Sequence, residues 1–570
     1  MTEPENTEAA SPPAPTTRGG LAGLGVFAER RTAVMLALGF AAGLPNLLIF
    51  DTLSAWLRAS GLSLELISFF SLATLAYSFK FLWAPLIDRT AVPILTGWLG
   101  HRRSWMLVAQ CAIAVGLLLV AGSNPKANLP LMALFAVFTG FSSATQDIVI
   151  DAWRIEAADI ARQGAMAAAY QWGYRIAIMV AGAVPLLLAD SFGWNLSYGL
   201  MAGLMGIGVA AVLLAPRERL HVIRVLPSVG ARQSPALEGA EWALRLVLLG
   251  VGALLIGSGL GANAAVLGQI VGHAISPQAG AALRAAWTAK PNGVWLQLAS
   301  VVCGFVVIAA AAWPIPRVRT RPGLYLSHAL GEPLADFFRR FGRGAGVILA
   351  LICLYRLSDF VLNIMTPFYQ DLGFSLVQIA EVRKLFGVVM SMVGIFAGGW
   401  SVARLGVMRS MVIGAFALPI TNTIFAWLAV QGPNLGDLFI AIGVDNVVSA
   451  YAGTCLIAYM SSLTSVGFTA TQYALFSSLY SLPGKLVASQ SGRIVEGAAR
   501  AADRGGVMGL IKGLFVHAPP QAFADAMSRS QVAPAALGAG YVVFFFYSGL
   551  VGVAAMALAV LAARRARRLA

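Results

Sequence analysis

Long apolar runs recur along the whole chain, each bounded by a short polar or charged segment. A helix rising about 1.5 Å per residue needs roughly 20 apolar residues to cross the hydrocarbon layer of a bilayer. Fourteen runs reach that length, near 33–57, 63–87, 104–122, 131–153, 164–188, 196–215, 243–272, 293–313, 346–368, 377–402, 409–430, 437–460, 468–490 and 541–562. The pattern predicts an all-α polytopic membrane protein with about 14 transmembrane helices.

Composition agrees with that reading. Charged residues make up only 11% of the chain and hydrophobic ones 58%, whereas soluble domains carry about 25% charged residues. Glycine is abundant, as where helices pack closely in lipid. Four cysteines, Cys111, Cys303, Cys353 and Cys455, fall in apolar segments without metal-type spacing, so neither a disulfide nor a metal site is expected. No cofactor is expected either.

The net charge of +15 could suggest a nucleic-acid partner, but its distribution argues for topology instead. Alternate loops carry most of the arginines, among them Arg30, Arg31, Arg102, Arg103, Arg217, Arg219, Arg339, Arg340 and Arg343, while the opposite loops hold few, such as Lys126, Arg284 and Lys290. This positive-inside asymmetry predicts both termini in the cytoplasm. Residues 1–28, rich in Pro, Thr, Glu and Ala, read as a disordered cytoplasmic tail without a cleavable signal, and 564–570 as a basic cytoplasmic tail.

Candidate chemistry lies where charge interrupts the apolar runs. Asp147 and Asp151 sit one helical turn apart within 131–153. A charge at the bilayer centre costs roughly 2.5–3.5 kcal/mol on insertion scales, so a pair on one helix face points to function. The structural reading is a loop cap or an ion pair with a basic residue. Intramembrane cations are Lys80, Arg175, Arg356, Lys384 and Lys485, and each could equally serve an interhelical ion pair. Arg356 and Asp359, three residues apart on one face, can pair with each other.

Tyr77 lies one turn from Lys80, while Gln146, Trp153, Trp172 and Tyr174 gather around the fourth and fifth spans. Such groups could stack on sugar rings or simply fill a core. Asp445-Asn446 is a further polar pair. Pro45 interrupts the first span, which either exposes backbone groups for binding or only kinks the helix. All five histidines fall at loops or span edges, so any proton relay must use carboxylates, whose proton affinity rises on burial and falls beside a cation. Asp147 is the expected proton carrier, with Asp151 sharing the proton or holding a gate beside Arg154.

Two halves repeat. Gly61-Leu62-Ser63-Leu64-Glu65 opens the second span, and Gly373-Phe374-Ser375-Leu376-Val377 opens the tenth. Asp88-Arg89 with Gly100-His101-Arg102-Arg103 has a counterpart in Gly399-x-x-x-Ala403-Arg404-x-Gly406-x-x-Arg409. These residues resemble the cytoplasmic loop motif of the major facilitator superfamily. The resemblance implies two six-helix bundles working by alternating access, with Asp88, Arg89, Arg102, Arg103 and Arg404 as gating residues. Two departures stand out: nine residues, 91–99, intervene between Thr90 and Gly100, and Ala403 replaces the second-half acid. The domain plan is then an N-terminal bundle at 29–216, a linker with two additional spans at 217–344, and a C-terminal bundle at 345–563. The extra pair, glycine-rich and free of charge inside, is expected to pack against the bundle.

A narrower resemblance rests on Gly39-Phe40-x-x-Gly43-Leu44-Pro45, Tyr77-x-Phe79-Lys80-Phe81-Leu82-Trp83-x-Pro85-Leu86-x-Asp88-Arg89 and Ser143-Ala144-x-Gln146-Asp147-Ile148-x-x-Asp151-Ala152-Trp153. With Tyr355-Arg356-x-x-Asp359 and Thr469-Ala470-Thr471-Gln472-Tyr473-Ala474-Leu475, these segments are similar to the AmpG-type muropeptide permeases, a group related to acetyl-coenzyme A transporters. The resemblance implies proton-coupled uptake of GlcNAc-anhydroMurNAc peptides across the bacterial inner membrane, serving cell-wall recycling and β-lactamase induction. A substrate with several carboxylates, hydroxyls and amides would suit a site built from Tyr77, Lys80, Gln146, Trp172, Tyr174, Arg175, Arg356, Asp359, Lys384, Asp445 and Asn446. A monomer with a small glycopeptide substrate, protons and lipid as its partners is expected, without nucleic acid. The alternatives are a coenzyme A thioester or peptide carrier, and a membrane transferase using the carboxylates as acid and base. The long loops carry no catalytic set, so an enzyme is not expected.

Overall fold

Backbone groups inside a bilayer have no water to bond, so each must find a partner within the protein, and helices are the natural result. The computed structural model describes residues 29–49, 51–60, 77, 79–218, 234–260, 263–289, 293–313, 320–360, 364–488, 491–516 and 518–569. In the first half these form α1 (Arg30–Ile49), α2 (Asp51–Ala59), α3 (Ala84–Arg89), α4 (His101–Ala121), α5 (Leu129–Ala157), α6 (Ile160–Phe192) and α7 (Trp194–Leu214). Then come α8 (Pro235–Leu260), α9 (Gly293–Ala312) and α10 (Arg321–Phe341). The second half contains α11 (Ala345–Leu354), α12 (Gly387–Leu405), α13 (Val407–Gln431), α14 (Leu435–Ser462), α15 (Thr469–Ala488), α16 (Ser491–Arg504) and α17 (Pro534–Leu569).

Among the described residues, 12 helical stretches are long and apolar enough to cross a membrane. Two of the fourteen expected runs are not among them. Most of 63–87 lies outside the described residues, and α15, though helical, carries Thr469, Thr471, Gln472, Ser477 and Ser478. Thr471 bonds Asp88 of the first half, and Gln472 bonds Pro333 and Asp336 of α10.

In the first half α1 packs on α6 and α7, and α4 on α5 and α7; in the second, α12 packs on α14, and α13 on α14 and α17. The halves meet where α6 lies on α12 and α14, and where α15 lies on α5 and α3. Small residues set these distances. A Cβ on Gly173 would collide with the Leu36 carbonyl, and one on Gly39 with the Tyr170 carbonyl. Backbone cannot move aside as a side chain can, so Gly173→Ala should cost about 1–3 kcal/mol or more. We expect a lower thermal unfolding midpoint for Gly173→Ala in detergent and no change for Gly203→Ala, where the added methyl meets open space.

Prolines inside spans show how the fold repairs lost bonds. Pro45 has no N–H for the carbonyl four residues back, and α1 nevertheless continues to Ile49. The orphaned Ala41 carbonyl accepts instead from Gln146 Nε2 at 3.0 Å. Pro185 in α6 similarly frees the Ala181 carbonyl, which takes the Thr52 hydroxyl at 2.9 Å. Both prolines are thus absorbed by packing, and Pro45 does not break its helix.

The connection 314–345 and the segment 491–540, which lie between the predicted spans, are largely helical where described. α10 buries Leu326, Ala329, Pro333 and Phe337 along one face. Val495, Ala499 and Phe515 pack with Phe523, Phe368 and Phe545 into a cap over one end of the second half. The extra pair is α8 and α9. Gly252 and Gly304 bring their backbones together, and Ile256, Val301 and Ile308 lie against Phe79.

Candidate functional site

Two groups of polar side chains line the junction of the halves. The first surrounds α5. Asp151 is buried between two cations, its Oδ1 3.3 Å from Arg154 and its Oδ2 4.0 Å from Lys80. One turn earlier, Asp147 is half-buried, and its Oδ1 is shielded from solvent without a hydrogen-bond partner among the described residues. Lys80 and Asp151 act on it electrostatically, and the Tyr170 hydroxyl hydrogen-bonds the carboxylate. The two aspartates of the sequence motif are therefore unlike: Asp151 is neutralised, whereas Asp147 is held against the field of a cation it does not touch.

The second group faces it from α6 and the second half. Arg356 pairs with Asp359 and donates to Ser449 Oγ at 2.8 Å, while that hydroxyl donates to Asp359 at 2.9 Å. Asp445, one turn before Ser449 on α14, has a shielded Oδ1 without a hydrogen-bond partner among the described residues and feels Asp359, Arg356 and Arg383. Arg175 lies across from Arg356 and Asp359, half-buried, with no ion pair among the described residues. Gln171 joins the halves by donating to Thr454 Oγ1 at 2.6 Å. Tyr77 donates to Ser143 at 2.7 Å, and Asn46, which follows Pro45, donates to the Tyr174 hydroxyl at 2.5 Å.

Several expected binding residues are spent on packing. Gln146 is fully buried on the Ala41 carbonyl. Trp172 donates to the Met392 carbonyl at 2.9 Å, bridging α6 to α12. Trp153 is fully buried and donates to the Pro216 carbonyl at 3.1 Å. Asn446 donates to Ile442 of its own helix at 2.9 Å and abuts Gly387. The side chains of Lys384 and Lys485 lie outside the described residues.

One end of the junction is closed, on the arginine-rich face. Asp88, only 1% exposed, accepts from the backbone N–H of Ala470 (3.2 Å) and Thr471 (2.8 Å) and from the Thr471 hydroxyl (2.7 Å). A first-half carboxylate thus caps a second-half helix, where free N–H groups and the helix dipole favour negative charge. Arg102 holds Asp88 at 2.7 Å and Glu156 at 2.6 Å. Residues 91–99 do not disturb this pairing, because Arg103 ties the Leu99 carbonyl (2.6 Å) to that of Ala215 (2.7 Å).

Arg89 reaches Glu332 of α10 at 3.0 Å, and Gln472 bonds Asp336 and the Pro333 carbonyl. Arg154 adds Ser461 Oγ at 2.9 Å, and Gly164 meets Gly399 and Val402. Arg404 takes no part: it is exposed and stacks over Trp400 at 5.4 Å. With Ala403 in place of the acid, the second half lacks the carboxylate for a matching arrangement.

Ser449 and Asp336 were missed in the sequence. Ser449 was accessible in principle, since it follows Asp445 by four residues and shares its helix face. Asp336 was hidden because α10 read as a loop.

Residues 32–488 match the family profile of the Major Facilitator Superfamily. The chain belongs to that superfamily. Among curated relatives, the anhydromuropeptide permease of Escherichia coli K12 is 29% identical over 476 residues, covering 83% of this chain and 76% of the relative. The Rickettsia felis protein named AmpG 4 is 27% identical over 473 residues, covering 82% and 91%. Among solved structures, the human organic anion transporter MFSD10 (TETRAN) aligns at 14% identity with a TM-score of 0.45, covering 92% of this chain and 99% of that one. This superfamily member is a homologue of the AmpG transporters and a multi-pass membrane transporter of a small molecule rather than an enzyme.

Proposed function

We propose that this transporter is a proton-coupled importer of anhydromuropeptides, moving GlcNAc-anhydroMurNAc peptides from periplasm to cytoplasm across a bacterial inner membrane. Its halves, 29–216 and 345–563, alternate access to the polar junction between them, with both termini in the cytoplasm and the Asp88 network closing the cytoplasmic end. The substrate class is supported by the named activity of the Escherichia coli relative. It is also supported by Arg175, which has no ion pair among the described residues and suits a ligand bearing carboxylates. The observation that carries proton coupling is Asp147, whose Oδ1 is shielded from solvent without a hydrogen-bond partner among the described residues, beside the Lys80–Asp151 pair.

The test is accumulation of labelled anhydromuropeptide in proteoliposomes under an imposed pH gradient, acid outside. We expect uptake that collapses when a protonophore removes the gradient and that acetyl-coenzyme A does not inhibit. Uptake indifferent to the gradient would refute coupling. Full competition by acetyl-coenzyme A would reassign the substrate.

A further inference from the structure

A groove of about 490 Å³ opens at the arginine-rich end of the second half. Ligand pockets commonly span about 300–1,000 Å³. Its floor is apolar, with Ile348, Met408 and Leu463, and three arginines, Arg340, Arg343 and Arg565, stand at its edge. The arginines differ in their pairing. Arg340 is balanced by Asp336 at 2.9 Å and donates to the Leu463 carbonyl at 2.9 Å. Arg343 and Arg565 are exposed, and neither has a carboxylate partner among the described residues. Arg565 instead donates to the Arg343 backbone carbonyl at 3.2 Å, and both side chains line the groove without a carboxylate among the described residues to balance them.

The sequence adds Arg564, Arg567 and Arg568 at the same end of α17. Like charges gathered at the end of membrane-spanning helices repel unless an anion joins them, and such clusters favour anionic lipid. A soluble anion would satisfy the cations but leave the apolar floor uncovered.

We propose that this groove binds one anionic glycerophospholipid, its phosphate between Arg343 and Arg565 and an acyl chain along Ile348, Met408 and Leu463. The groove adjoins the closed end of the junction through Arg340, which bonds Gln472 as well as Asp336, and the proposal does not depend on the function proposed above.

The test is native mass spectrometry of the full chain, delipidated and titrated with dioleoyl phosphatidylglycerol or dioleoyl phosphatidylcholine. Two arginines, each contributing about a factor of five, should favour the anionic lipid roughly 25-fold. The double variant Arg343→Gln/Arg565→Gln should erase the preference with helical content unchanged. Met408→Trp, which fills the groove, should weaken retention of the anionic lipid. Equal retention of the two lipids, or a preference that survives the double variant, would overturn the site. So would full displacement by millimolar inorganic phosphate, which would assign a soluble anion, or a dimer forming at the groove in place of lipid.

Discussion

Asp88→Asn is expected to open the arginine-rich end of the transporter and to cut accumulation of substrate at least about tenfold. Asp88 is buried and serves four donors at once: two backbone N–H groups and the hydroxyl at the start of α15, and the Arg102 guanidinium. Asparagine removes the charge and turns one acceptor into a donor, so at least one of those partners must face another donor. Breaking a buried pair by changing one member costs about 3–5 kcal/mol. At about 1.4 kcal/mol per tenfold, that shifts the balance between closed and open ends by roughly 100- to 3,000-fold.

The measurement is the distance between spin labels at Arg162, half-buried at the start of α6, and Leu405, exposed at the end of α12. It should lengthen in Asp88→Asn and stay unchanged in Arg404→Gln, since Arg404 only covers Trp400. An unaltered distance in Asp88→Asn, with normal uptake, would mean that this network does not hold the end closed.

Asp147→Asn is expected to abolish accumulation driven by a pH gradient while leaving substrate counterflow within about twofold of the native rate. Counterflow exchanges labelled for unlabelled substrate and needs the alternating motion without net proton movement. Asparagine keeps the shape and polarity of Asp147 but cannot release or take up a proton. Its neighbours differ in what they tolerate. Asp151 sits between Lys80 and Arg154, so Asp151→Asn strands two buried cations and should reduce the amount of folded protein as well as transport. Loss of both counterflow and folded protein in Asp147→Asn would place it with Asp151 as a structural group. Retention of full gradient-driven accumulation would remove it from the coupling path.

The Asp147–Asp151 contrast also shows what could be read from sequence. Helical spacing put both on one face and identified both as costly, which is a local property of the chain. Which of them is neutralised depends on Lys80, about 70 residues away, and on how α5 is rotated against its neighbours. Gln146 gives the opposite case. Its polarity in an apolar run read as a binding group, yet the demand for it comes from the Ala41 carbonyl that Pro45 leaves unbonded. Trp172 likewise read as a surface for sugar rings and is held by a carbonyl of α12.

The sequence by itself determined that this chain is helical and membrane-embedded, and that its loops carry a repeated motif whose resemblance to the major facilitator superfamily implied a transporter. Those features follow from hydropathy, helical period and short residue spacings, each contained within a few turns. Only the tertiary structure decided which polar groups remain free to act. Inside the bilayer every donor, acceptor and charge must be matched by a partner that is usually on another helix. Asp88 on the α15 terminus, Arg356 on Asp359 and Ser449, and Asp147 with an unbonded oxygen are outcomes of that long-range matching.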